Sequence, residues 1–137
     1  MKLAFSTLGC PDFSWSDIYS MAKDFGFDGI EMRGLGNDIF SVHAQPFRED
    51  QIDKTIARLK RMHLEIPCLS TGCVLKDEAN WAETREEIYA YIRLAARLGA
   101  RYIRLLGDRN ADREGDVDDE IVLRALKDVV PFAEEND

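Results

Sequence analysis

The sequence lacks several features that define common protein classes. It has no apolar run near the roughly 18 residues that a membrane-spanning helix needs. Its start, MKLAFSTLGC, has one basic residue and too short an apolar stretch for a signal peptide. Lys and Arg number 18 against 26 Asp and Glu, and the formal charge of -8 opposes binding to phosphate backbones. The three cysteines have no CxxC spacing, which indicates reduced thiols. We therefore expect a globular cytoplasmic protein that binds neither nucleic acid nor membrane.

The sequence does contain a repeated order of strand and helix. Four short β-rich runs are each followed by a segment with helical period, and they span residues 2–6, 29–33, 66–70 and 102–106. The first helix has a capping-box pattern at Ser14 and Asp17, and the third is predicted to start after Asn80. The fourth is predicted from about Asp118, with a kink at Pro131. This order predicts four βα units with parallel strands and right-handed crossovers.

The joints between helix and strand resemble one another. They read KDFGFDGIEM, KRMHLEIPCL and ARLGARYIRL, and each has a residue suited to the left-handed conformation after the helix. The aligned positions are Gly26, His63 and Gly99, so the alignment predicts positive φ at all three. The final PFAEEND matches the start of a fourth joint, with Asn136 or Asp137 near the helix stop. We therefore expect these four units to be part of a longer repeat.

The alternation along the strands separates apolar from polar side chains. Ile30, Met32, Ile103 and Leu105 share one parity, whereas the other is occupied by Ala4, Ser6, Glu31, Arg33, Cys68, Ser70 and Arg104. A doubly wound sheet covers both faces with helices and favours continuous apolar strands, which argues against a flavodoxin-like domain. A β/α barrel has helices outside only and accepts polar residues inside. The prediction is half of a (β/α)8 barrel, an α/β fold occupying residues 1–137 as one domain.

Layering inside such a barrel has a consequence for two charges. Side chains of alternate strands share a level, so Glu31 on the second strand and Arg104 on the fourth are predicted to form an ion pair. Its role is either to orient a substrate or to neutralise a charged interior.

The stretches MKLAFSTLG, DFGFDGIEMRG and AARLGARYIRLLGD resemble the N-terminal half of the xylose isomerase-like β/α barrels. That superfamily includes sugar-phosphate isomerases and epimerases, inosose dehydratases and AP-site endonucleases. The resemblance covers essentially the whole chain but about half of the family's domain. It implies a divalent metal (Mn, Mg, Co or Zn) in the full domain, and two glutamates that move a proton next to a carbonyl.

The same resemblance limits what this chain does by itself. In the sugar isomerases the metal ligands come mostly from strands five to eight, so we expect no metal to be bound by this chain alone. The endonucleases place His ligands after earlier strands, whereas STGCVL and LLGDRN contain no His. This difference and the acidic charge argue against an AP-site endonuclease.

Barrel chemistry occurs at the carboxyl ends of the strands, which directs attention to the loops there. No catalytic residue is assigned from the sequence. The candidate substrate-binding residues are Glu31, Arg33, His43, Ser70, Arg104 and Asp108. For His43 and Asp108 a structural role, as a loop anchor and a turn cap, is the alternative. Convergence of Cys10, His43 and Cys73 on zinc is a further hypothesis.

The functional prediction is an isomerase or epimerase-type domain for a small sugar, sugar phosphate or polyol, incomplete in this chain and inactive alone. The competing hypothesis is a non-catalytic half-barrel that oligomerises or binds a ligand. Because the first and fourth strands have open edges, we predict a homodimer or association with a second half-barrel.

Overall fold

The computed structural model of the chain describes residues 1–107 and 119–136, which form four successive βα units. The strands are β1 (Ala4–Ser6), β2 (Gly29–Glu31), β3 (Cys68–Val74) and β4 (Tyr102–Leu106). The helices that follow them are α1 (Trp15–Asp24), α2 (Ile52–Met62), α3 (Trp81–Leu98) and α4 (Asp119–Glu134). The predicted order of elements is confirmed.

The strands are parallel and lie in sequence order. β1 pairs with β2 and β3 pairs with β4, with Ser70 beside Arg104. Parallel bridges from Gly29 to Glu65 and from Met32 to Leu69 connect the two pairs. The order β1-β2-β3-β4 places each strand beside its neighbour in the chain, as in a β/α barrel, and leaves the outer edges of β1 and β4 without a partner strand among the described residues.

A single apolar core lies between the strands and the helices. Ile30, Met32 and Leu69 are fully buried, and they pack with buried residues of all four helices, including Ile18, Ile52, Ile88 and Val129. On the opposite parity Arg104 is exposed, and Glu31 and Cys68 are half-buried. The helices therefore cover one face of the sheet, which agrees with the barrel prediction and excludes the flavodoxin-like alternative.

Local sequence signals explain the helix ends. Ser14 and Asp17 form the predicted capping box at α1, and Asn80 precedes α3 as predicted. The three aligned joint residues all have positive φ: 70° at Gly26, 55° at His63 and 68° at Gly99. The repeated joint is thus confirmed as a repeated backbone conformation. The predicted helix passes through Pro131 without ending there.

One strand differs from the sequence prediction. β3 continues to Val74, so Thr71 to Val74 belong to the strand rather than to the loop at its end. Cys73 is consequently buried, 3% exposed, inside the core. Within residues 1–107 and 119–136, no helix is long and apolar enough to cross a membrane.

Candidate functional site on the inner face of the sheet

The inner face of the sheet, the side away from the helices, gathers the polar residues of the strands. Since Met32 bridges Leu69, the next residue, Arg33, lies beside Ser70, and Ser70 lies beside Arg104. These three residues form a row that crosses the sheet just beyond β2, early in β3 and at the middle of β4. In a β/α barrel ligands bind at the carboxyl ends of the strands, so Arg33 is the member of the row that lies nearest to that position.

Glu31 and Ser70 form the central contact of this face. The fully buried Ser70 donates a hydrogen bond from Oγ to Oε1 of the half-buried Glu31 carboxylate. Cys68 lies on the same parity, where burial first and then the Glu31 charge raise the pKa of its thiol. A hydroxyl donor fixes the orientation of the carboxylate and leaves its other oxygen available for a ligand.

The predicted ion pair between Glu31 and Arg104 is wrong. Arg104 is exposed, and the ion pairs of the described residues do not include one between these two side chains. β3 separates their strands, so their Cα atoms are about 10 Å apart at the usual strand spacing. The Ser70 hydroxyl on the intervening strand satisfies the carboxylate instead, and Arg104 remains in water, where no desolvation cost requires a counter-charge.

Arg33 is held at its backbone by Thr7. The Thr7 hydroxyl accepts a hydrogen bond from Arg33 N at 2.8 Å and donates one to Gly34 O at 2.9 Å. The guanidinium reaches over β3, where a Cβ placed on Gly72 would lie 3.9 Å from Arg33 Nη2. A glycine at this position therefore leaves space above the strand for the Arg33 side chain.

A cavity of about 220 Å³ adjoins Arg33 at the carboxyl ends of β1 and β2. Thr7, Cys10 and Arg33 supply its polar wall, and Leu8, Leu35 and Ile39 supply apolar wall. Burial raises the pKa of the Cys10 thiol, so Cys10 acts here as a neutral group at ordinary pH. The cavity thus combines one cation with neutral walls.

The two remaining candidates, His43 and Asp108, are not among the residues that the structure places on the inner face. His43 ends a 3-10 turn (Ser41–His43) and is exposed, with its ring edge-on to Phe40 at 6.4 Å. Its carbonyl accepts a hydrogen bond from Arg48 Nε at 3.3 Å, which anchors the loop. Asp108 lies outside the described residues.

A metal site does not form from the residues described. No group of three or more His, Cys, Asp or Glu side chains in residues 1–107 and 119–136 is arranged to hold an ion. The hypothesis that Cys10, His43 and Cys73 bind zinc is wrong, because Cys73 is buried in the core and His43 is exposed. The metal implied by the family resemblance does not fit these side chains by themselves.

Sequence reasoning missed three residues that organise this face. Thr7 and Gly72 position and accommodate Arg33, and the fully buried Ser41 accepts a hydrogen bond on Oγ from Gly34 N at 3.1 Å. Ser41 N also donates to Tyr91 Oη at 3.2 Å, which joins the loop after β2 to α3. The available signal was the glycine itself, because a glycine within a strand often marks a bulge or a close approach; the register of β3 against β4 shifts between Ser70 and Val74.

Four parallel βα units, helices on one face and polar residues on the inner face define this chain as part of a β/α barrel. The sequence agrees with this class, because residues 19–137 match the family described as xylose isomerase-like TIM barrel. The chain therefore belongs to the xylose isomerase-like TIM barrel family.

Three solved structures resemble the whole chain. The probable 3-DHS dehydratase AsbF, involved in petrobactin synthesis, from Bacillus anthracis has a TM-score of 0.77 at 20% identity; 99% of this chain aligns with 49% of that one. The 3-keto-D-glucoside 4-epimerase YcjR from E. coli has a TM-score of 0.72 at 18% identity, with 99% and 53% covered. The IOLI protein with a bound zinc atom has a TM-score of 0.68 at 17% identity, with 99% and 47% covered.

These similarities establish the fold alone, because all three identities are low. The chain spans about half the length of the solved relatives that it matches. No curated protein matches it.

Proposed function

We propose that this chain is the substrate-binding half of a barrel enzyme that isomerises or epimerises a small sugar or polyol derivative next to a carbonyl. The observation that supports the proposal is the set of polar residues on the inner face, where the Glu31 carboxylate at the end of β2 is oriented by Ser70 on β3. A carboxylate held by a hydroxyl donor suits hydrogen bonding to substrate hydroxyls. In this proposal the polar residues of the inner face bind and orient the substrate. None of the described residues is assigned as a metal ligand.

A second half is needed to enclose that face. A solved relative is about twice as long, and a β/α barrel has eight strands where residues 1–107 and 119–136 of this chain form four. We place a second copy of the chain there, with its β1 edge beside β4. Next to β4 lies an apolar groove of about 640 Å³, lined by residues that include Ile103, Leu105, Leu126 and Val129. Light scattering is expected to give a mass of twice 15.6 kDa; a monomer at micromolar concentration contradicts this pairing.

The alternative is a non-catalytic binding module, which is favoured by one observation, the lack of a metal-ligand group among the described residues. Deuterium incorporation separates the two functions. The chain is incubated in heavy water with a panel of ketoses and Mn²⁺, and exchange at the carbon next to the carbonyl is followed by NMR.

Exchange that is lost in Glu31→Gln supports the enzyme. In a chain that light scattering has shown to be dimeric, binding of the same sugars at the inner face without any exchange supports the module. If neither binding nor exchange is detected at the inner face, both functions are wrong. Ser20→Ala, on the exposed surface of α1, serves as the control variant.

A further inference from the structure

The inner face carries two guanidinium groups that form no ion pair with another described residue. Neither the Arg33 nor the Arg104 side chain forms a hydrogen bond or ion pair with another described residue. Arg33 contributes its backbone N–H to Thr7, and Arg104 contributes its carbonyl oxygen to Thr71 Oγ1 at 3.0 Å. Those contacts fix the two backbones and leave both guanidinium groups available to a ligand.

Five arginines on the outer helices have side-chain partners, whereas Arg61 on α2 has none among the described residues. Arg85, Arg97 and Arg124 form ion pairs with nearby carboxylates. Arg58 and Arg93 lie over the rings of Tyr19 and Phe132, at 4.1 and 5.1 Å. What distinguishes Arg33 and Arg104 from the unpaired Arg61 is their position on the inner face, the side of the sheet on which a β/α barrel binds its ligand.

Arg33 and Arg104 lie on the same face of the sheet, on either side of β3. Ser70 on β3 separates Arg33 from Arg104 in the row, so their Cα atoms are about 10 Å apart. The Arg33 guanidinium leans toward β3 and lies over Gly72, which has no side chain to fill the gap. The Arg33 guanidinium therefore borders the space above Gly72, and Arg104 lies beside Ser70 on the neighbouring strand β4. The carboxylate of Glu31 on the same face accepts a hydrogen bond from Ser70.

We propose that Arg33 and Arg104 bind an oxyanion, the carboxylate or phosphate group of an acidic sugar derivative, above Gly72. The planar guanidinium donates two parallel hydrogen bonds to either group. The inference deepens the proposed function, on which it rests, by restricting its substrates to anionic ones. The 220 Å³ cavity beside Arg33 then receives the uncharged part of the ligand.

The test compares four probes at constant ionic strength: glucose, gluconate, glucose 6-phosphate and inorganic phosphate. Binding is followed by NMR on the ¹⁵N-labelled chain through the Gly72 amide and the arginine Nε signals. At least one anionic sugar is expected to bind at least about ten-fold more tightly than glucose. Preference for gluconate identifies a carboxylate, whereas preference for glucose 6-phosphate, with weaker binding of inorganic phosphate, identifies a phosphate.

Three variants assign the effect to the two arginines. Arg33→Gln and Arg104→Gln are each expected to remove the preference for anions, and Arg33→Lys to restore part of it, since Lys keeps the charge but loses the paired geometry. Arg61→Gln is the matched control, because Arg61 is exposed on α2. The amide spectrum of each variant establishes that it is folded.

Equal affinity for glucose and the anions overturns the inference while leaving sugar binding intact. The inference is also overturned if Arg33→Gln and Arg104→Gln bind anions as the parent does, or if no probe shifts the Gly72 amide. In the dimeric chain, an anion preference without any deuterium exchange contradicts the catalytic function while still supporting the oxyanion site.

Discussion

Thr7 is the residue on which the position of Arg33 depends. It is 2% exposed, and its hydroxyl joins the ends of β1 and β2 through Arg33 N and Gly34 O. Thr7→Val keeps the shape but leaves both backbone groups without this partner. We expect the free energy of unfolding to fall by about 1–3 kcal/mol, measured by urea denaturation, and anion affinity to fall with it.

Thr55→Val is the control for this change. The Thr55 hydroxyl is equally buried and donates to Pro46 O at 2.7 Å, but it lies at α2, away from the inner face. The free energy of unfolding of the Thr55→Val variant should fall by a similar amount, with no loss of anion affinity. Equal loss of affinity in both variants would show that Thr7 acts through general stability alone.

Cys73 provides a pH-dependent signal from the core. Burial raises the pKa of its thiol to about 12, and burial likewise raises the pKa of Tyr91. At pH 8 only roughly one Cys73 in 10⁴ is a thiolate, so we expect two thiols, Cys10 and Cys68, to react with a maleimide while Cys73 reacts only after unfolding. Mass spectrometry of the labelled chain measures this, and three labels in native buffer would contradict it.

The same shifts set the direction of the alkaline stability change. Both groups stay protonated in the folded state above the pH at which they ionise in the unfolded state. Their stabilising contribution is complete below the unfolded thiol pKa and is lost as the pH rises toward about 12. Cys73→Ala should therefore flatten the fall in melting temperature above pH 9 or so.

At the scale of elements, the left-handed joint residues decide how each helix turns into the next strand. His63 and Gly99 occupy the same place after α2 and α3, with φ of 55° and 68°. His63→Gly relieves a conformational cost of about 1–2 kcal/mol, partly offset by the greater freedom of unfolded Gly, so stability should rise by up to about 1 kcal/mol. Gly99→Ala should lower it by about 1 kcal/mol.

Gly9→Ala controls for replacing glycine as such, because a Cβ at Gly9 meets nothing within 4 Å. It should change the unfolding energy by less than about 0.5 kcal/mol in thermal or urea denaturation. The changes in unfolding free energy should have opposite signs for His63→Gly and Gly99→Ala. Changes of the same sign would mean that the left-handed backbone conformation does not control the ends of α2 and α3.

The strands and helices also show which features of the fold could be predicted from the sequence alone. The order of strands and helices, the capping box at Ser14 and the joints were predictable, because each depends on a local pattern of three to ten residues. The length of β3 was not, since Gly72 interrupts its apolar run and reads as a loop. Parity placed Glu31, Ser70 and Arg104 on one face, but the choice of Ser70 over Arg104 as the partner of Glu31 depends on strand spacing and side-chain reach, which one sequence does not contain.

On the scale of the whole molecule, the main feature is that the outer edges of β1 and β4 have no partner strand among the described residues. Tyr102 is 65% exposed at β4 and Leu3 is 54% exposed before β1, so apolar side chains flank both unpaired edges. Exposed strand edges pair readily with further strands. Two copies related by a two-fold axis along the barrel would pair each β4 with the partner's β1 and give an eight-stranded ring.

Two exposed aliphatic residues of α4 allow a matched test of this dimer. Val130, 44% exposed, lines the groove beside β4, whereas Leu123, 53% exposed, does not. Val130→Asp would bury an unpaired carboxylate on association, at a cost of several kcal/mol, and should shift the dimer to monomer in light scattering at micromolar concentration. Leu123→Asp adds the same charge to the same helix and should leave the dimer intact. If both variants dissociate, the added negative charge and not the groove is the cause. If the parent chain pairs only with a different half-barrel chain, that chain and not a second copy occupies the groove beside β4.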